Sequence, residues 1–139
     1  MKENNVVENL AQAPPKEFYM KKSINELVDT CFGNAKAAGW HSTIGRDDIA
    51  KYVKGTQLML MVSEIAEAME GERKGLMDSH LPDRPMVEVE LADAIIRICD
   101  YCGRWGYDLG GAVVEKLEYN KTRADHKPEN REKDGGKKF

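Results

Sequence analysis

The sequence predicts an all-α protein built as a four-helix bundle. Apolar residues recur three and four positions apart in four segments, and glycines and prolines separate these segments. No segment shows the alternating apolar and polar pattern of a half-buried strand. With 139 residues, of which 41% are hydrophobic and 32% charged, the chain is expected to form one soluble globular domain.

Three stretches of different composition are expected along the chain. Residues 1–20 include Pro14 and Pro15 and no sustained period, which predicts a loose N-terminal arm. Residues 21–125 hold all four predicted helices, and residues 126–139 form a polar C-terminal tail. No apolar run is long enough for a membrane span or a signal peptide, so a cytoplasmic protein is expected.

Charge and cysteine content exclude two classes of protein. A net charge of −3 argues against a protein that coats nucleic acid, and no stable nucleic-acid binding is expected. The three cysteines are an odd number in a chain without an export signal, so we expect reduced thiols rather than a disulfide framework.

The first two helices are predicted from caps and apolar spacing. The first covers residues 23–38, with Ser23 as the N-cap of a capping box and Gly39 as the end signal. The second runs over residues 49–72 without a proline. Its apolar run over residues 58–62 is too broad for one helix face, so it should lie at the centre of a bundle or at a subunit interface.

The third and fourth helices follow a long loop predicted over residues 71–85. The third helix begins where this loop ends and is predicted to stop at Gly103 and Gly106. Asp108 is the predicted N-cap of the fourth helix, which covers residues 109–123.

Two pairs of carboxylates stand out on the second and third helices. Glu64 and Glu67 are three residues apart on one, and Glu90 and Asp93 are three apart on the other. Residues at this spacing project from one face of a helix, so two adjacent helices would bring four carboxylates together. A solvated helix face is the commoner explanation for either pair alone.

Apolar neighbours on both helices favour a metal site over a solvated face. Four carboxylates within apolar stretches would repel one another and be costly to bury unless a cation neutralised them. Ligands that are all oxygen favour Mg²⁺, with Mn²⁺ as a substitute, over zinc or copper. A di-iron bundle is a weaker alternative, because it requires Glu-x-x-His motifs that this sequence lacks.

Three blocks of the sequence, in this order and spacing, resemble the MazG-like nucleotide pyrophosphohydrolases, which are related to the dimeric dUTPases. The blocks are LMLMVSEIAEA (residues 58–68), ELADAIIR (residues 90–97) and EKLEYNKTR (residues 115–123). The resemblance covers about residues 20–125. It implies a four-helix MazG-like bundle that forms a homodimer or homotetramer.

The resemblance also implies an activity and a metal site. The expected reaction is the Mg²⁺-dependent hydrolysis of a nucleoside triphosphate to its monophosphate and pyrophosphate. The metal ligands of the family map onto Glu64, Glu67, Glu90 and Asp93, and Glu67 is also the group expected to orient or deprotonate the attacking water. Ser63 stands where the family pattern has a glutamate, and this departure supports a rival hypothesis. In that hypothesis, the same fold is a regulatory module that binds metal or nucleotide without catalysis.

Other residues are candidates for binding the substrate or supporting the site. Lys116, Asn120 and Arg123 form one polar stripe on the fourth helix, which would bind phosphate oxygens or be a solvated helix end. Trp40 would stack on a nucleobase or anchor the core. Arg97 and Asp100, three residues apart, are predicted to form an ion pair or a brace for the site.

Overall fold

The computed structural model describes residues 13–136 and confirms the all-α prediction. The elements in chain order are α1 (Lys16–Ala37), α2 (Ala50–Lys74), α3 (Met86–Trp105), α4 (Leu109–Thr122), a 3-10 turn (Ala124–His126) and a single-turn helix α5 (Pro128–Arg131). Strand pairing within these residues is limited to one isolated bridge between Met77 and Pro85. No helix in the described part of the chain is long and apolar enough to cross a membrane.

Helix α1 begins earlier than the sequence predicted. It starts at Lys16, so Ser23 lies inside the helix and is not its N-cap. Pro15 precedes the first turn, and its carbonyl accepts a hydrogen bond of 3.0 Å from the amide of Phe18. A proline directly before or in the first turn costs no helix hydrogen bond, and no further proline or glycine interrupts residues 16–22. The predicted arm is thus helical over residues 16–20, and residues 1–12 lie outside the described residues.

The two glycines near the end of α3 have different roles. Gly106 ends the helix in the left-handed conformation with a φ of 70°, as predicted. Gly103 does not stop the helix but lies within it against Phe32 of α1. A β-carbon at Gly103 would lie 2.5 Å from the β-carbon of Phe32, so its lack of a side chain permits the close approach of α1 and α3.

Asp108 caps α4, as predicted, and also fastens it to α1. Its carboxylate accepts hydrogen bonds from the amide of Gly111 at 3.0 Å, from Nδ2 of Asn25 at 2.9 Å and from Nζ of Lys21 at 2.7 Å. These bonds, that from Lys21 above all, hold the pKa of Asp108 well below its usual range.

The four main helices pack in the spatial order α2, α3, α1, α4. Helix α3 lies against both α2 and α1, and α4 lies against α1. The buried core between α1 and α3 consists of Val28, Cys31, Cys99 and Cys102. All three cysteines are free thiols and are buried.

Large apolar side chains on α2 and α3 remain open to solvent. They are Leu58, Met59, Leu60, Val62, Ile65 and Met69 on α2, and Leu91, Ile95, Ile96 and Ile98 on α3. Helix α2 packs extensively only against α3, so the prediction that it lies at the centre of the bundle is wrong for the single chain. Its place at a subunit interface stays a prediction.

Candidate metal centre

Three of the four predicted carboxylates meet where α2 packs on α3. Carboxylate oxygens of Glu64, Glu90 and Asp93 all lie within 4.8 Å of one another. Glu64 is 6% exposed and Glu90 is 8% exposed, whereas Asp93 is more open to solvent. We call these three residues the acidic cluster.

Glu67 lies beside the acidic cluster rather than within it. It is one helical turn after Glu64 on α2, and its side chain is exposed. It does not belong to the group of oxygens within 4.8 Å, yet its charge acts on Glu90. The structure therefore brings three of the predicted carboxylates together and leaves the fourth at their solvent-facing edge.

The carboxyl of Glu90 is buried beside other negative charges. Burial raises its pKa above the ordinary value, and the nearby charges of Glu67, Glu64 and Asp93 raise it further. Its hydrogen-bonding neighbour is the carboxyl of Glu64. Within residues 13–136, no N–H group donates a hydrogen bond to the carboxyl of Glu90. Buried charges in proteins are normally paired.

Arg97 supplies the one positive charge that contacts the acidic cluster within the described residues. Its Nε donates a hydrogen bond to Oε1 of Glu64, across the packing of α3 on α2. The predicted pairing of Arg97 with Asp100 is therefore wrong, because Asp100 instead binds Nε2 of His41 at 2.6 Å. Arg97 is four residues after Asp93 and seven after Glu90, and this spacing was a sequence signal that all three share one helix face.

The acidic cluster has the chemistry that a small hard cation requires. An octahedral Mg²⁺ holds oxygens at about 2.1 Å, so its ligand oxygens are about 3 to 4 Å apart. The oxygens of the acidic cluster lie within 4.8 Å of one another, an upper limit somewhat longer than this spacing. Because the donors are all oxygen and no positive charge within residues 13–136 contacts the buried carboxyl of Glu90, the residues present fit Mg²⁺ or Mn²⁺.

A second polar network, centred on the buried His41, was not predicted. Nη1 of Arg104 donates to Nδ1 of His41 at 2.9 Å, and Nη2 of Arg104 donates to the hydroxyl of Thr43 at 2.6 Å. Since Nδ1 accepts from a guanidinium, the ring proton is on Nε2, which donates to Asp100. This network fastens the connection between α1 and α2 to the second half of α3, and a lone histidine gave no sequence signal for it.

The surroundings of Trp40 exclude one of its two predicted roles. The side chain is 80% exposed, so Trp40 is not a core anchor. Its neighbour His41 contacts Asp100 and Arg104 on α3. With a helical rise of about 1.5 Å per residue, these two residues lie about 10 to 16 Å further along α3 than Asp93 of the acidic cluster. Stacking of Trp40 on a nucleobase stays a prediction.

The polar stripe of α4 is separated from the acidic cluster within one chain. Lys116 and Arg123 both lie over the ring of Tyr119, at 4.6 and 5.9 Å from its centre, so they share one side of the helix. The guanidinium of Arg123 also pairs with Asp125 at 2.5 Å, and the buried Oδ1 of Asn120 finds no hydrogen-bond partner among the residues that the structure describes. Helix α4 packs on α1, whereas the acidic cluster lies between α2 and α3.

No protein-family model, curated protein or solved structure matches the chain. Membership of the MazG-like family therefore stays a prediction that rests on the three sequence blocks.

Proposed function

We propose that this protein is a Mg²⁺-dependent nucleoside triphosphate pyrophosphohydrolase, which converts a (d)NTP and water to the (d)NMP and pyrophosphate. The observation that carries the proposal is the convergence of Glu64, Glu90 and Asp93 across the contact of α2 with α3, with Glu67 beside them. These are the four positions that the resemblance to MazG-like enzymes assigns to the metal. The substrate and the bond cleaved rest on that resemblance.

In this proposal the carboxylates divide into two roles. Glu64, Glu90 and Asp93 hold Mg²⁺, which when bound stabilises negative charge on the phosphate oxygens. Glu67 is exposed and accepts a proton from the attacking water. As the water oxygen bonds to the α-phosphorus, the bond from that phosphorus to the oxygen bridging to the β-phosphate breaks, and pyrophosphate leaves.

The substrate-binding residues of α4 require a second copy of the chain. We propose that the protein is a homo-oligomer, a dimer or a tetramer, in which α4 of one protomer approaches the acidic cluster of another. Lys116, Asn120 and Arg123 would then meet the triphosphate. Two observations support this arrangement: α4 is distant from α2 in the packing order, and the apolar side chains around the acidic cluster are uncovered.

The free cysteines support a cytoplasmic location for this activity. Cys31 and Cys99 lie on facing helices, and their thiols are close enough to hydrogen bond without being joined. Reducing compartments maintain thiols in this state.

A regulatory module that binds metal or nucleotide without turnover is the alternative. One observation favours it: the hydroxyl of Ser63, at the position of the missing glutamate, donates to the carbonyl of Leu60 in its own helix at 2.8 Å. A serine has no carboxylate, and here the proton of its hydroxyl is directed to its own helix rather than to the acidic cluster.

The test is an assay of pyrophosphate release by the full chain, with each common dNTP and NTP in the presence of Mg²⁺. We expect pyrophosphate and nucleoside monophosphate in equal amounts, loss of activity in EDTA and its return on adding Mg²⁺. Glu67→Gln should lower kcat by about 10²- to 10⁴-fold while Mn²⁺ binding is retained, because it removes the proton acceptor and leaves the acidic cluster intact.

Glu70→Gln is the matched control for Glu67→Gln. Glu70 is one turn further along α2, where it pairs with Arg73 at 3.6 Å, and its replacement should leave kcat unchanged. Absence of pyrophosphate from every nucleotide, with Mn²⁺ binding intact, would favour the regulatory alternative. Full activity of Glu67→Gln would reject its assigned role.

A further inference from the structure

Arg97 stands in an unusual position relative to the acidic cluster. It lies on the same face of α3 as Glu90 and Asp93, yet its Nε binds Glu64 on α2. Within residues 13–136, this contact is the only ion pair that the acidic cluster makes. The guanidinium is thus the positive charge that holds two helices together where three carboxylates meet.

The side chain of Arg97 is also free to leave this position. It is 42% exposed, whereas the side chain of Glu64 is 8% exposed. Within the described part of the chain, its hydrogen bonding is confined to Nε, which donates to Glu64, and its two terminal nitrogens make no hydrogen bond. Movement of the guanidinium into solvent would cost only that contact.

A divalent cation and this guanidinium would compete for Glu64. Both are attracted by the same carboxylates, and like charges a few ångströms apart repel strongly where water is partly excluded. A single positive charge does not balance three carboxylates that are within 4.8 Å of one another, whereas a divalent ion would neutralise more of that charge.

We propose that Arg97 is the resident counter-ion of the acidic cluster, and that Mg²⁺ binding displaces its guanidinium from Glu64. The inference rests on the proposed function in that the acidic cluster is taken to be a metal site. Arg97 is a positioning residue here: it keeps the two helices together while the metal is absent and weakens metal binding by its charge.

The test measures binding of Mn²⁺ alone, by calorimetry and by electron paramagnetic resonance, to metal-free protein. Arg97→Gln should bind Mn²⁺ about tenfold or more tightly than wild type, because a repelling charge is removed. Arg97→Lys keeps the charge and should bind like wild type. Arg73→Gln is the matched control, since Arg73 pairs with Glu70 on the exposed side of α2, and it should not change the affinity.

Thermal unfolding supplies a second readout on the same proteins. In EDTA, Arg97→Gln should melt below wild type, because its carboxylates lack their counter-ion. The rise in melting temperature on adding Mn²⁺ should be larger for Arg97→Gln than for wild type, since ligand stabilisation increases with affinity.

Nuclear magnetic resonance on the unmodified chain keeps the proposal testable if Arg97→Gln does not fold. The Nε–H signal of Arg97, assigned by its loss in Arg97→Lys, should exchange slowly with water in metal-free protein and rapidly when Mg²⁺ is saturating. If Mg²⁺ leaves the exchange of this signal unchanged, the proposal that the metal displaces Arg97 from Glu64 is overturned.

The outcomes separate this inference from the proposed function. Equal or weaker Mn²⁺ binding by Arg97→Gln, with binding by wild type intact, overturns the counter-ion proposal alone. If neither protein binds Mn²⁺, the acidic cluster is not a metal site, and the proposed competition between Arg97 and the metal is rejected as well.

Discussion

At the scale of single residues, burial and neighbouring negative charge act on Glu90 in the same direction. Both raise the pKa of its carboxyl above the ordinary 4.5. Because the folded pKa is then above the unfolded one, the stabilising contribution is fully present below the ordinary pKa. It is lost as the pH rises through the raised pKa. The free energy of unfolding of the metal-free protein should therefore fall as the pH rises from mildly acid to neutral, because Glu90 ionises in this range.

Glu90→Gln should remove this pH dependence. We expect the variant to melt a few degrees above wild type in EDTA at pH 7, because glutamine carries no charge to desolvate at a site that is 8% exposed. Added Mg²⁺ should no longer stabilise it. The measurement is thermal unfolding between about pH 4.5 and 8, with and without Mg²⁺.

Glu88→Gln is the control for this prediction. Glu88 lies two residues earlier, exposed and paired with Arg84 at 3.1 Å, so its replacement should leave the pH profile in place. A melting temperature for Glu90→Gln below that of wild type at pH 7 in EDTA would contradict the expected cost of the buried carboxylate.

At the scale of helices, the contact of Gly103 with Phe32 sets how closely α1 and α3 approach. Gly103→Ala should destabilise the protein by about 1 to 3 kcal/mol, because a β-carbon there overlaps a β-carbon rather than the end of a flexible side chain. Gly55→Ala on α2 meets no atom within 4 Å and should stabilise by up to about 1 kcal/mol.

Urea unfolding of both variants decides this prediction. The two substitutions add the same methyl group to a glycine within a helix, so only the neighbouring atoms differ. Equal shifts of the unfolding midpoint, in the same direction, would show that packing at Gly103 is not limiting.

Helix ends were predictable where a local signal and the chain's packing agree. Asp108 has the side chain and position of an N-cap, and Gly106 has the free backbone of a C-cap, and the structure uses both. The start of α1 was not predictable from Ser23, because a capping-box pattern does not exclude a helix that continues upstream. The helix begins at Lys16, directly after Pro15.

At the scale of the whole molecule, the proposed oligomer accounts for the uncovered apolar face of α2 and α3. Light scattering after size exclusion should give the mass of a dimer or a tetramer. Ile95→Glu should shift the protein toward the monomer, because it places a charge within a surface that the second copy would desolvate.

Phe18→Glu is the matched control for the oligomer prediction. Phe18 on α1 is 52% exposed and Ile95 is 51% exposed, so both changes replace an apolar side chain of similar exposure. The Phe18 variant should keep the mass of wild type. A monomeric wild-type protein would contradict the proposed arrangement of α4 and the acidic cluster.

The convergence of the carboxylates was predictable, whereas their surroundings were not. Spacing places Glu64 with Glu67 and Glu90 with Asp93 on single helix faces. It does not show that Glu64 and Glu90 are buried while Glu67 is exposed. The contact of Arg97 with Glu64 and the distance of α4 from α2 depend on how helices pack, and periodicity within one helix contains no such information.

The packing of α1 on α3 buries the three cysteine sulfurs and thereby protects them from chemical reaction. Burial raises the pKa of the Cys99 thiol to about 11, and burial also raises the pKa of Cys31 and Cys102. Electrophiles and peroxides react with thiolates, so folding itself shields these atoms from alkylation and oxidation. Separation of α1 from α3 would expose all three thiols together. The rate at which a thiol reagent modifies them would therefore measure how often the two helices separate.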